Sequence, residues 1–198
     1  MRDRTDKILD VAIELAEKGG FDNVRQRDVA AAAGVALGTL YKRFRSKEDI
    51  LCAALDREAE ELERRMEKSP IKGDSPLDRA TNLFTLMTRG LCRKPNYARA
   101  VIRAMASGVP ETAGKIAAYH GRITGLVIAA MRGVGRLTFT DARTSPPSKD
   151  ETRLALILQQ LWFANLVGWS AGLFPQNEIV DHLRDAGGLL FLALEHSN

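Results

Sequence analysis

The sequence has few of the features that mark enzymes or metalloproteins. Its two cysteines, Cys52 and Cys92, lie far apart and match no metal-binding spacing. The three histidines form no HExxH-type pattern, and no glycine-rich phosphate loop follows a strand pattern. We therefore expect a chain without catalytic activity, bound metal or cofactor, whose two thiols are buried and reduced.

Long hydrophobic runs are also missing. No apolar stretch reaches the roughly 18–20 residues that a membrane-spanning helix needs. The opening stretch MRDRTDKILD is charged and lacks the apolar segment of a signal peptide. We expect a cytoplasmic protein with no membrane association. Hydrophobic residues still make up 45% of the chain, which is enough to build a core.

Strand patterns are nearly absent, whereas apolar residues recur at helical spacings of three and four. The spacing predicts an all-α protein of about nine helices. Gly19 and Gly20 end the first helix, and residues 69–76 (SPIKGDSP) interrupt the pattern. Residues 136–149 contain two adjacent prolines and predict a long loop before the last two helices.

Residues 26–47, QRDVAAAAGVALGTLYKRFRSK, contain the most informative pattern. A short helical run stops at Gly34 and a second begins shortly after it, which predicts a helix-turn-helix. Leu40 and Phe44 are four positions apart and share a buried face. Residues 21–47 hold six basic and two acidic residues, whereas the rest of the chain holds 23 of each. The whole net charge of +4 therefore lies on the segment that would meet DNA phosphates.

This stretch resembles the N-terminal domain of the TetR family of one-component transcriptional regulators. The resemblance rests on Phe21, Arg27-Asp28-Val29-Ala30, Ala33-Gly34-Val35, Gly38-Thr39-Leu40-Tyr41, Phe44 and Ser46-Lys47-Glu48. It implies a helix-turn-helix DNA-binding domain over residues 1–48 and a ligand-sensing and dimerisation domain over 49–198. Ala36 lies where the family often has a Ser or Thr cap for the recognition helix, so we expect this helix start to lack a side-chain cap.

The resemblance also assigns the DNA contacts. It implies that Leu37, Gly38 and Thr39 reach base edges at the start of the recognition helix. Tyr41, Lys42 and Lys47 are suited to phosphates, and Arg27 to a base or a phosphate. In the next helix, Ser46 and Asp49 form a capping-box pattern. Its glutamates at 60, 61, 63 and 67 beside Arg64 and Arg65 predict a solvated charged face.

The second domain contains apolar and polar residues that can line a ligand cavity. The candidates for ligand binding are Phe84, Met87, Leu91, Met105, Tyr119, His120, Ile123, Trp162, Asn165 and Trp169. Trp162 and Asn165 share a helix face that combines an aromatic ring with an amide, as an amphipathic ligand requires. The competing interpretation is that these residues are ordinary core and that His120 is a hydrogen-bonded structural histidine.

We therefore predict a ligand-responsive repressor that binds a pseudo-palindromic double-stranded DNA operator as a homodimer through its last two helices. The run LWFANLVGWSAGL faintly resembles repressors of steroid and lipid catabolism in the same family, which implies a hydrophobic effector that is sterol-like or an acyl-CoA. Two alternatives stay open at this point. One is a DNA-binding factor or activator without an effector. The other is a protein-interaction module whose helix-turn-helix no longer binds DNA.

Overall fold

The computed structural model describes residues 4–137 and 145–195, and within them it contains nine α-helices and no strand. The predicted all-α fold is therefore confirmed. The helices are α1 (Arg4–Gly19), α2 (Gln26–Ala33), α3 (Leu37–Arg43), α4 (Lys47–Lys68), α5 (Pro76–Cys92), α6 (Pro95–Met105), α7 (Ala113–Arg132), α8 (Lys149–Ser170) and α9 (Gln176–Glu195). Short 3-10 turns lie at Phe21–Asn23 and Pro110–Thr112.

Local chemistry at Gly20 and Ser148 explains where α1 ends and where α8 begins. Gly20 follows α1 with a φ of 68°, a conformation that glycine adopts without a steric penalty. Ser148 caps α8, because its side chain accepts the N–H of Glu151 while the Glu151 carboxylate accepts the N–H of Ser148. Of the predicted loop over 136–149, residues 138–144 lie outside the described part of the chain.

The helices form two compact units. The first combines the residues up to Ala59 with Leu91–Tyr119, and the second combines Glu60–Gly90 with the residues from His120 onward. Both α4 and α7 therefore contribute residues to each unit. These units describe packing, so the functional division predicted after residue 48 stays a prediction.

The first unit is built on α1, which packs against α2 and α6. Tyr97 of α6 is buried, and its N–H donates to the carboxylate of Glu17 at 3.0 Å. Arg57 of α4 pairs with Asp10 of α1 at 2.7 Å and also with Asp6. The side chain of Arg57 is only 18% exposed, so α1 and α4 are joined by a partly desolvated ion pair rather than by a surface contact.

The second unit joins α4, α5, α7, α8 and α9. Glu60 and Glu63 of α4 accept hydrogen bonds from Arg122 of α7 at 3.1 and 2.6 Å. The solvated face predicted for this part of α4 therefore holds for Glu60, whose side chain is 43% exposed, whereas the Glu63 side chain is only 20% exposed and is partly covered by Arg122. Gly187 of α9 packs closely against Leu77 of α5, because an added Cβ at this glycine would lie only 2.5 Å from a terminal methyl group of Leu77.

Candidate DNA-binding site and ligand-binding region

A left-handed glycine makes the turn between α2 and α3. Gly34 has φ 68° and ψ 38°, and its N–H bonds to the carbonyl groups of the last turn of α2. Val35 then donates to the carbonyl of Ala30 at 3.0 Å, which completes the hydrogen-bonding pattern of a helix C-terminus. The sharp change of direction predicted at Gly34 is thereby confirmed at the level of the backbone.

The inner side of α3 is fixed to the core. Leu40 and Phe44 are both buried, as their spacing predicts. The side-chain amide of Gln26, at the start of α2, donates to the carbonyl of Phe44 at 3.1 Å. This bond joins the first residue of one helix to the end of the next. Apolar burial and this long-range hydrogen bond therefore both contribute to the orientation of α3.

The outer side of α3 carries most of the predicted DNA contacts. The structure places Gly38, Thr39, Tyr41 and Lys42 on the exposed side of α3, Leu37 half-buried at its start, and Arg27 exposed on α2. Tyr41 is 51% exposed, which is unusual for an aromatic residue in a packed domain. An added Cβ at Gly38 would meet nothing within 4 Å in the protein, so the backbone there is open to close approach by another molecule.

Lys47 is the first residue of α4, and its side chain already has contacts within the protein. Its ammonium group is 3.4 Å from the carbonyl of Phe21 and 3.4 Å from the carboxylate of Asp22. It also lies 3.9 Å from the centroid of the Phe21 ring. Arg103 of α6 contacts the same two residues, and its hydrogen bond lowers the pKa of Asp22. Sequence reasoning missed Arg103, because nothing in the local pattern indicates where α6 packs.

The first turn of α4 differs in detail from the predicted capping box. Ser46 accepts the N–H of Asp49 at 3.1 Å, as expected. The Asp49 carboxylate, however, accepts the N–H of Arg45 at 2.9 Å rather than that of Ser46. Its second oxygen forms an ion pair with Lys115 of α7. The Asp49 carboxylate therefore binds the N–H one residue before the predicted one, and it also pairs with Lys115, which is distant in sequence. The local pattern does not indicate this second partner.

The ten ligand-binding candidates fall into both compact units. Leu91, Met105 and Tyr119 belong to the first unit, and Phe84, Met87, His120, Ile123, Trp162, Asn165 and Trp169 belong to the second. All are buried except Met105 and His120, which are half-buried. In the second unit, the rings of Phe84 and Trp162 are 5.7 Å apart. The structure thus brings part of the predicted set together inside one unit.

Three polar pairs accompany these apolar residues in the second unit. The indole N–H of Trp162 donates to the hydroxyl of Thr88 at 2.9 Å, and both side chains are buried. His182 of α9 contacts the amide oxygen of Asn165 through Nδ1 at 2.7 Å. Trp162 and Asn165 share a face of α8, as predicted, yet their polar atoms bind different neighbouring helices.

The third pair concerns His120. The amide nitrogen of Gln159 on α8 bonds to Nδ1 of His120, and burial lowers the pKa of that imidazole. The lowered pKa favours the neutral imidazole ring. Thr124 donates to the carbonyl of His120 at 2.9 Å. His120 thus has the hydrogen-bonded environment that the core interpretation predicts. The sequence did not indicate Gln159 as its partner.

Neither a metal cluster nor a membrane-spanning helix occurs in the part of the chain that the structure describes. Within residues 4–137 and 145–195, no group of three or more His, Cys, Asp or Glu side chains is arranged to hold a metal ion. No helix among the same residues is both long enough and apolar enough to cross a bilayer.

Comparisons with known proteins match both parts of the chain. Residues 8–54 match the family model of bacterial regulatory proteins of the tetR family, and residues 73–190 match that of the tetracyclin repressor-like C-terminal domain. The HTH-type transcriptional repressor KstR of Rhodococcus jostii RHA1 is 33% identical over 85% of this chain and 73% of its own length.

Solved structures share the whole fold. A TetR transcriptional regulator from Rhodococcus sp. RHA1 has a TM-score of 0.79 at 27% identity, covering 98% of both chains. FadR of Bacillus subtilis, solved with stearoyl-CoA, has a TM-score of 0.67 at 16% identity, covering 92% of this chain and 96% of its own. The helix-turn-helix, the helical second part and these matches together show that the chain belongs to the TetR family of bacterial transcriptional regulators.

Proposed function

We propose that this protein is a ligand-responsive transcriptional repressor that binds a pseudo-palindromic operator as a homodimer. The observation that carries this proposal is the two-sided character of α3. Leu40 and Phe44 anchor its inner side, while Thr39, Tyr41 and Lys42 face solvent beside an open backbone at Gly38. Membership of a family of regulators also bears out the prediction that the chain is not an enzyme.

We propose individual DNA contacts that are compatible with this arrangement. We assign base contacts to Leu37, Gly38 and Thr39, because the first turn of a recognition helix enters the major groove. Tyr41 and Lys42 lie further along the exposed side, where phosphates pass. We also assign Lys47 to a phosphate, which would share the ammonium group with the Asp22 carboxylate. We assign Arg27, which is exposed on α2, to a base or a phosphate.

Two variants separate base contacts from phosphate contacts. An operator is first selected from a random-sequence duplex library with the wild-type protein. Lys42→Ala should then make the negative slope of log K against log salt shallower by about 0.9 for each phosphate that it no longer binds, and it should weaken all duplexes alike. Thr39→Ala should instead change the ranking of operator variants. If neither variant alters duplex binding, α3 is not the DNA-reading helix.

The homodimer proposal rests on apolar side chains of α8 and α9 that each single chain leaves exposed. They are Leu156, Ile157 and Val167 on α8, and Leu189 and Leu192 on α9. The two helices are consecutive and pack against each other, so both contribute to the same part of the second unit. Burying such a set against its symmetry copy gives the apolar character typical of an obligate dimer interface. A two-fold dimer presents two recognition helices to the two halves of a palindrome.

For the effector, we propose a hydrophobic molecule that is an acyl-CoA or sterol-like. The buried aromatic residues of the second unit and the interspersed amide, hydroxyl and imidazole groups provide both apolar area and hydrogen-bonding groups. A protein of the same fold, FadR of Bacillus subtilis, was solved with stearoyl-CoA. The faint resemblance of α8 to repressors of lipid catabolism points in the same direction.

Effector release can be measured on the wild-type protein with a labelled operator. Stearoyl-CoA, free coenzyme A, stearate and cholesterol are added in turn, and the loss of the protein–DNA complex is followed by fluorescence anisotropy. Release by stearoyl-CoA but not by coenzyme A alone identifies an acyl-CoA effector. Release by cholesterol identifies a sterol-like effector. If no compound of either class changes operator binding or the melting temperature, the effector proposal fails. The proposal that the protein binds an operator would still stand, because it is tested separately.

A further inference from the structure

A buried carboxylate fixes the chain directly after the recognition helix. The side chain of Asp49 is only 6% exposed, and its Oδ2 accepts the N–H of Arg45 at 2.9 Å. Its own N–H is held by the hydroxyl of Ser46 at 3.1 Å. Because Arg45 and Ser46 lie between the end of α3 and the start of α4, Asp49 determines the path by which α3 joins α4.

A single cation from α7 contacts this carboxylate and the end of the recognition helix together. The ammonium group of Lys115 forms an ion pair with Oδ1 of Asp49. The same group lies 4.9 Å from the centroid of the Phe44 ring. Phe44 is the C-cap residue of α3 and is buried. Lys115 therefore combines charge neutralisation of a buried carboxylate with a cation–π contact.

Lys115 contacts α3 through the buried residue Phe44. Phe44 points inward, away from the exposed residues Thr39 and Tyr41 that are placed at the DNA. We propose that Lys115 is a positioning residue for DNA recognition. It contacts neither base nor phosphate, and it holds the C-terminal end of α3 so that the first turn of this helix meets the major groove.

The central variant is Lys115→Met, which keeps a long apolar stem and removes the charge. It leaves the buried Asp49 carboxylate without its counter-charge, so operator binding should weaken by about tenfold or more. The slope of log K against log salt should stay unchanged, because the number of phosphates bound is the same. Lys115→Arg should restore most of the affinity, because it restores the cation.

Arg103→Met is the matched control. Arg103 makes the same two kinds of contact, an ion pair with Asp22 and a ring contact with Phe21, but its side chain is 60% exposed. Exposed ion pairs contribute little, so operator affinity should change by no more than about twofold. Both variants are measured well below their melting temperatures. If Lys115→Met is not folded at the assay temperature, Lys115→Gln carries the same comparison.

A double-mutant cycle tests whether Lys115 acts through Asp49. Asp49→Asn keeps an oxygen that can accept the N–H of Arg45 but removes the charge. In that background, adding Lys115→Met should cause little further decrease in operator affinity. Fully additive decreases would overturn the proposal. A salt slope that becomes shallower by about one per subunit would also overturn it, because it would place Lys115 at a phosphate. A lower melting temperature with unchanged operator affinity would overturn it as well.

Discussion

Leu189 on α9 offers a quantitative test of the dimer, because its side chain is 71% exposed in the single chain. Fully burying a leucine side chain stabilises a protein by about 1.5–3 kcal/mol. Because most of the Leu189 side chain is still exposed in the single chain, its burial in the dimer would contribute about 1–2 kcal/mol for each copy. A two-fold interface contains the residue twice. Leu189→Ala should therefore weaken dimerisation by about 2–4 kcal/mol, which is about 30- to 1,000-fold in the dimer dissociation constant.

Sedimentation velocity over a concentration series measures that constant directly. Leu86→Ala is the control, because Leu86 is 44% exposed but lies on α5, outside the proposed interface. The control should leave the dissociation constant unchanged. Both substitutions alter side chains outside the core of a single chain, so a loss of dimer is not a consequence of unfolding. A wild-type monomer at micromolar concentration, or equal dimerisation of Leu189→Ala and wild type, would refute the reasoning.

Three further predictions concern stability. Ala36→Ser should raise the free energy of unfolding by about 1 kcal/mol in urea titrations, because α3 lacks a side-chain cap; no gain would contradict this. Thr88→Val removes the acceptor of the buried Trp162 N–H and should lower that free energy by about 1–3 kcal/mol; unchanged stability would show that the bond contributes nothing. The hydrogen bonds from Arg132 lower the pKa of Glu151 from 4.5 to about 2. The contribution of ionised Glu151 to the free energy of unfolding is therefore complete above about pH 5 and is lost as the pH falls towards 2. Glu151→Gln should lower the free energy of unfolding at pH 7 and make it depend less on pH between 5 and 2.

The DNA-reading element could be predicted from the amino-acid sequence alone, because the features that mark it are local. Gly34 supplies the left-handed turn, and Leu40 and Phe44 lie four residues apart on one helical face. The charge bias is confined to the same contiguous segment. Such features act within one or two helical turns, so reading them requires no knowledge of how distant helices pack. The same holds for the helix ends marked by glycine.

The hydrogen-bond and ion-pair partners that come from distant helices could be identified only from the packing of the folded chain. The partners of Asp49, Trp162 and Asn165 are Lys115, Thr88 and His182, and each comes from another helix. Periodicity places a residue on a helix face, but it does not state which helix lies opposite. Trp162 and Asn165 share one face and still bind different neighbours, because a face of α8 is wide enough to meet two helices. The long-range partners follow from the packing of the whole chain, which minimises exposed apolar area and leaves buried polar atoms hydrogen-bonded.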